Sequence, residues 1–226
     1  MDAADATRIK FCGITNLDDA DAAVEAGAWA LGMILWPGSK RRCRTVEAAR
    51  IAAVHRRRAE LVGVFVNPTL DHVVTAADEI GLSMLQFHGD EGPAFCAEAG
   101  RRSGCRVIKA ARVRSGAEIQ ALAPFHTDFH LLDAYREGTP GGTGETFAWE
   151  LARRHGPTRS RVPVILAGGL TAENVAEAIA TVHPYAVDVA GGTESAPGIK
   201  DHDKLRAFAE AVAATQPAAP APAPAP

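Results

Sequence analysis

The segment Arg8-Ile9-Lys10-Phe11-Cys12 sets a lysine and a thiol two residues apart in a run that reads as a strand. Side chains alternate along an extended chain, so Lys10 and Cys12 share one face and Ile9 and Phe11 take the other. An ammonium one pleat below a thiol favours the thiolate, which makes Cys12 a candidate base or nucleophile near neutral pH. The plainer alternative for Lys10 is an exposed lysine at a strand start. A second apolar run ends Leu131-Leu132-Asp133. A thiol and a carboxylate on different strands that face one pocket suit paired proton transfer on opposite sides of a small substrate. A capping role in a loop or helix also accounts for Asp133. Gln86 and His88 close a third run and Asp188 interrupts a fourth. Polar groups inside such strands need partners, so each belongs to a site or to an interior hydrogen-bonded network. The basic run Lys40-Arg41-Arg42-Cys43-Arg44 is either a solvated surface or the source of one arginine that grips an anionic substrate group with both prongs.

Glycines supply the other chemical signal. Ala167-Gly168-Gly169-Leu170-Thr171 and Ala190-Gly191-Gly192-Thr193 repeat one Ala-Gly-Gly pattern at the ends of two apolar runs. Glycines let the backbone approach an anion closely, and helix N-terminal amides donate to it. One such pair reads as a tight turn; two in succession read as the walls of a phosphate site. Gly141-Gly142-Thr143-Gly144 offers Gly142 and Gly144 as a third wall or a flap.

The elements that must position these residues recur at regular intervals. Eight short apolar runs span Arg8 to Cys12, Trp29 to Leu35, Leu61 to Val66, Leu82 to Phe87, Arg106 to Ala110, Phe129 to Asp133, Val162 to Ala167 and Ala186 to Ala190. Helical stretches lie between them. The first, Leu17 to Ala26, opens on Thr15 or Asn16 and stops at Gly27; another opens with the capping box Ser115-Gly116-Ala117-Glu118; one runs from Ala172 to Ala180; the last covers Asp201 to Ala213. Strands that are apolar throughout, each followed by a helix, predict an α/β fold, a single (β/α)8 TIM barrel, rather than an open doubly wound sheet. In such a barrel the site lies at the carboxyl ends of the strands, and phosphate sits on the loops after strands seven and eight. Asp133 is then expected at the mouth on the side far from strand eight. Closure brings strand eight beside strand one, which predicts an ion pair between Asp188 and Lys10.

The rest of the composition narrows the partners. A formal net charge of −3 leaves no broad basic field for a polyanion, so no nucleic-acid partner is expected. The longest mostly apolar run, Ala22 to Trp36, holds Glu25 and two glycines and is too short for a membrane span. The polar start Met1 to Thr7 lacks a secretory pattern, which makes a cytoplasmic location the expectation. Cys12, Cys43, Cys96 and Cys105 form no C-x-x-C pair, so neither a disulfide framework nor a metal site is expected. Residues 1–7 read as an N-terminal extension, 8–216 as the barrel, and 217–226 as a disordered Pro-Ala tail. Monomer and homodimer both remain open.

These residues together resemble phosphoribosylanthranilate isomerase of tryptophan biosynthesis. The likeness runs through Lys10-Phe11-Cys12-Gly13-Ile14-Thr15, Gly63-Val64-Phe65-Val66-Asn67, Gln86-Phe87-His88-Gly89, Leu132-Asp133, Gly141-Gly142-Thr143-Gly144, Gly168-Gly169-Leu170, Val187-Asp188-Val189 and Pro197-Gly198-Ile199-Lys200-Asp201. It implies a cofactor-free and metal-free Amadori rearrangement of a phosphorylated aminosugar. It also implies Asp133 as general acid, Cys12 as general base, Arg41 on the anthranilate carboxylate, and Gly168, Gly169, Gly191 and Gly192 on the phosphate. His88 and Asp188 fall at polar pocket positions. The family often carries two serines where this chain has Ala190 and Gly191, so phosphate contacts there fall to backbone amides. The related aminoaldose isomerase of histidine biosynthesis is the nearest alternative, but its base at the end of strand one is an aspartate where this chain has Cys12. A catalytically silent phosphate-binding barrel is the alternative outside catalysis, and the presence of both Cys12 and Asp133 argues against it.

Overall fold

A computed structural model of the chain describes residues 6–133, 149–153 and 162–216. Gly142, Gly144, most of the proposed N-terminal extension and the Pro-Ala tail lie outside the described residues. Eight parallel strands close into a barrel in sequence order: β1 Arg8–Cys12, β2 Ala30–Ile34, β3 Glu60–Phe65, β4 Met84–Phe87, β5 Arg106–Arg112, β6 Phe129–Asp133, β7 Val164–Ala167 and β8 Ala186–Val189. Strand β8 pairs with β1 in the register Lys10 opposite Asp188, which completes the ring. Because β6 lies only two strands from β8, Asp133 is not on the far side from strand eight, and the expectation that it would be is corrected.

Alternation divides the apolar residues into two cores. One set fills the barrel: Ala30, Val62, Val64, Met84, Ile108, Leu131, Ile165 and Ala186. The other points outward, as Ile9, Phe11, Leu31, Leu85 and Val187 do, and packs against helix residues such as Ile51, Val73 and Phe208. Each fully buried aliphatic or aromatic side chain contributes about 1.5–3 kcal/mol, so this double layer is what holds the rigid frame.

The helix ends follow side-chain chemistry. Asn16 caps Leu17–Glu25 by accepting from the amide of Asp19. Ser115 and Glu118 form the expected capping box on Gly116–Gln120. Asp201 caps His202–Ala213. The helix after β7 covers Val175–Val182 and begins later than Ala172. Asn174 folds back to accept from Thr171 N at 2.9 Å and donates to Gly169 O at 3.0 Å, so a turn precedes the helix. A small antiparallel pair after β8, Glu194–Ala196 with Ile199–Lys200, was not foreseen.

Candidate active site

A cavity of about 570 Å³ opens at the carboxyl ends of the strands. Cys12 from β1, Arg41 from the loop after β2, His88 beyond β4, Asp133 from β6 and Asp188 from β8 all line it, together with Gly168, Gly169, Gly191 and Gly192. The described residues proposed as acid, base and substrate contacts therefore reach one cavity. Arg42 and Arg44 are exposed and do not line it, which selects Arg41 from the basic run.

Beneath the thiol, Lys10 is wholly buried and donates to Asp188 Oδ1 at 2.7 Å. The expected pair is present, and the alternative of an exposed strand-start lysine is excluded. Burial works against the Lys10 ammonium, but the pull of Asp188 and Cys12 outweighs it and the pKa is raised. The expectation of a thiolate favoured near neutral pH does not hold. Burial raises the Cys12 pKa and Asp188 adds to the rise, while Lys10 and Lys200 offset only part of it. Lys10 pulls the thiol pKa down while also holding Asp188, and that pull is smaller than the cost of burying the thiolate. Burial lifts the other thiols as well, Cys43 to about 12 and Cys96 to about 11, and none of them lines the cavity.

Room for the thiol comes from β2. Gly32 faces the barrel interior opposite Cys12, and a Cβ there would stand 2.8 Å from Cys12 Sγ and 3.0 Å from Lys10 Nζ. Across the cavity, His88 Nε2 lies 3.5 Å from Asp133 Oδ2, with both side chains about one-fifth exposed. That spacing is an electrostatic contact longer than a well-formed hydrogen bond. Gln86 is 1% exposed and lines the same cavity, and its Oε1 has no hydrogen-bond partner among the described residues. A buried acceptor without a donor costs roughly 1–3 kcal/mol unless something supplies one, so Gln86 joins the site.

At the glycine loops, Gly168 and Gly169 have φ of +98° and +65°, a backbone that side-chain-bearing residues resist. Gly192 lies so close to the carbonyl oxygen of Leu170 that no Cβ fits there. The loops after β7 and β8 thus touch and form one glycine-walled side of the cavity. Among the described residues, no group of three or more His, Cys, Asp or Glu is placed to hold a metal ion, and no helix is long and apolar enough to cross a membrane.

Two residues that shape the site were missed from sequence: Gly32, which reads as one more small residue in an apolar strand, and Glu194, which reads as a loop carboxylate. Glu194 accepts both prongs of Arg41, with Nε at 2.8 and 2.9 Å and Nη2 at 2.7 Å.

Comparison with known proteins agrees with this architecture. The family model described as N-(5'-phosphoribosyl)anthranilate (PRA) isomerase matches residues 9–211. The enzyme of that name from Chromohalobacter salexigens is 48% identical over 212 residues, covering 93% of this chain and 96% of its own. That from Pseudomonas syringae is 47% identical over 212 residues, with 93% and 99% covered. The crystal structure of phosphoribosyl anthranilate isomerase from Thermotoga maritima superposes with a TM-score of 0.81 at 38% identity, covering 92% of this chain and 99% of that one. A further structure at 35% identity and a TM-score of 0.79 holds reduced 1-(o-carboxyphenylamino)-1-deoxyribulose 5-phosphate, again with 92% and 99% covered. The chain belongs to the N-(5'-phosphoribosyl)anthranilate isomerase family.

Proposed function

We propose that the chain converts N-(5-phosphoribosyl)anthranilate to 1-(2-carboxyphenylamino)-1-deoxyribulose 5-phosphate, with Asp133 as general acid and Cys12 as general base. The observation that carries this reading is that Cys12 and Asp133, from strands three apart around the barrel, line one cavity whose third side is the double glycine loop.

The amides around Gly168, Gly169, Gly191 and Gly192 hold the phosphate, where small residues allow close approach. Arg41 meets the ring carboxylate. Asp133 gives its proton to the furanose oxygen, the C1′–O bond breaks, and the nitrogen lone pair forms the C=N of a Schiff base. Cys12 then takes the C2′ proton, and the C2′–H electron pair forms the C1′=C2′ bond of an enolamine as the C=N pair returns to nitrogen. Proton transfer to C1′ and loss of the hydroxyl proton at C2′ give the ketone. The sequence is redox neutral overall. Burial of Cys12 has a use here: a thiol with a raised pKa is, once ionised, a stronger base toward carbon. Gln86 Oε1 accepts from a sugar hydroxyl between the acid and the base.

The test is the loss of anthranilate-type fluorescence as phosphoribosylanthranilate is consumed by the purified protein. Turnover is expected; a folded protein without turnover overturns the reading.

A further inference from the structure

The loop after β2 carries several cationic side chains, yet only Arg41 turns into the cavity, and the contacts around it account for that choice. The Glu194 side chain is 5% exposed and binds the Nε and Nη2 edge of Arg41 through both oxygens. Glu194 is itself fixed: Gly198 N donates to its Oε1 at 3.3 Å, Lys204 Nζ donates to its backbone carbonyl at 2.9 Å, and Thr15 Oγ1 ties down Gly198 O at 2.6 Å. The pair lies across the end of β1. An alanine at Gly13, where φ is +80°, would put its Cβ 3.1 Å from Arg41 Cδ and 3.3 Å from Glu194 Oε1.

A carboxylate bound to an arginine ordinarily cancels the charge a ligand would seek. Here a second basic side chain shares the carboxylate. Lys200 Nζ is fully buried 3.7 Å from Glu194 Oε1 and donates to Ala190 O and Thr193 Oγ1. Glu194 is therefore shared between Arg41 and Lys200, although burial pushes the Lys200 pKa down. A guanidinium has five N–H donors; Glu194 takes the Nε/Nη2 edge, and the edge formed by one Nη1 proton and the second Nη2 proton remains for another planar anion.

We infer that Glu194 is the positioning residue that selects and orients Arg41 for recognition of the aromatic carboxylate of the substrate. The inference rests on the proposed role of Arg41. Without Glu194, the Arg41 side chain is as free as those of Arg42 and Arg44, and its charge stays near the cavity without a fixed direction. Electrostatic attraction then survives while the geometry that distinguishes a carboxylate-bearing ring from a bare ring is lost.

The experiment measures the affinity of two ligands by calorimetric titration: the reduced product analogue with its ring carboxylate, and its phenylamino counterpart without that group. Wild type is expected to prefer the carboxylated ligand. Glu194→Gln, which keeps the side-chain shape, is expected to lose about tenfold or more of that preference, the scale of a charged hydrogen bond, with less than about twofold change for the other ligand. In turnover the loss falls on KM with kcat largely kept, and Glu194→Asp recovers part of it. Arg41→Lys tests the same point without touching Glu194, because an ammonium cannot present two edges to two carboxylates; it is expected to lose the preference as Arg41→Met does. Preference lost in Arg41→Met but retained in Glu194→Gln and Arg41→Lys overturns the inference and leaves the Arg41 reading standing. Preference retained in Arg41→Met overturns both.

Discussion

Lys10 Nζ and Asp188 Oδ1 stand 2.7 Å apart inside the barrel, with the lysine wholly out of solvent one pleat below Cys12. The contact joins the first strand to the last, where the barrel closes, and its Asp188 lines the cavity. Breaking a buried pair by removing one partner strands a charge, at a cost of about 3–5 kcal/mol. Lys10→Met and Asp188→Asn are each expected to destabilise strongly in denaturant melts. The double variant is expected to cost less than the two single costs combined, by about 1–3 kcal/mol. Simple additivity would show that the two side chains do not depend on each other.

Gly32 carries a second expectation. Its absent Cβ leaves the space that Cys12 Sγ and Lys10 Nζ fill. Gly32→Ala should overpack the interior by about 1–3 kcal/mol and displace the thiol, so that kcat falls well before the circular-dichroism spectrum changes. Wild-type kcat in a folded Gly32→Ala protein would show that the thiol position is unimportant.

The pH profile follows from burial of the thiol. Cys12 is held above the ordinary thiol pKa of 9.0, so the base form is scarce at neutrality and grows with pH. Where proton abstraction limits the rate, kcat/KM should climb from pH 6 toward pH 9 by up to about tenfold per unit. A profile flat across that range would mean that Cys12 is already ionised or is not the base.

Gln86 presents a buried acceptor to the cavity. Gln86→Met fills the same space, removes the amide, and satisfies the apolar surroundings. Thermal stability should hold or rise, while kcat/KM should fall by about tenfold, the value of one hydrogen bond to substrate. Unchanged kinetics would assign Gln86 to the interior network alone.

Much of this was legible in the sequence, and the reasons differ by element. Period-two alternation in Lys10-Phe11-Cys12 and the regular recurrence of apolar runs are local signals, and they locate the eight strands and the inward face of β1. The Lys10–Asp188 pair followed from topology, because a closed barrel leaves strand eight no other neighbour on that side. Burial was not legible: Lys10 still draws the Cys12 pKa down, but it also holds Asp188, and desolvation moves the thiol further the other way. Contacts between loops escaped for a related reason. Glu194 and Arg41 are separated by 153 residues, and nothing in either segment alone names the other. The later start of the helix at Val175 was hidden in one side chain, Asn174, which closes a turn that the apolar pattern reads as helix.

The most direct test of the central claim is kcat/KM of Cys12→Ala for phosphoribosylanthranilate, followed by fluorescence in protein whose fold is verified by circular dichroism. Removing the general base should lower it by at least about 10²-fold. A value within about twofold of wild type, on a scale where acid–base groups contribute 10²–10⁴, would contradict the assignment of Cys12 as the base.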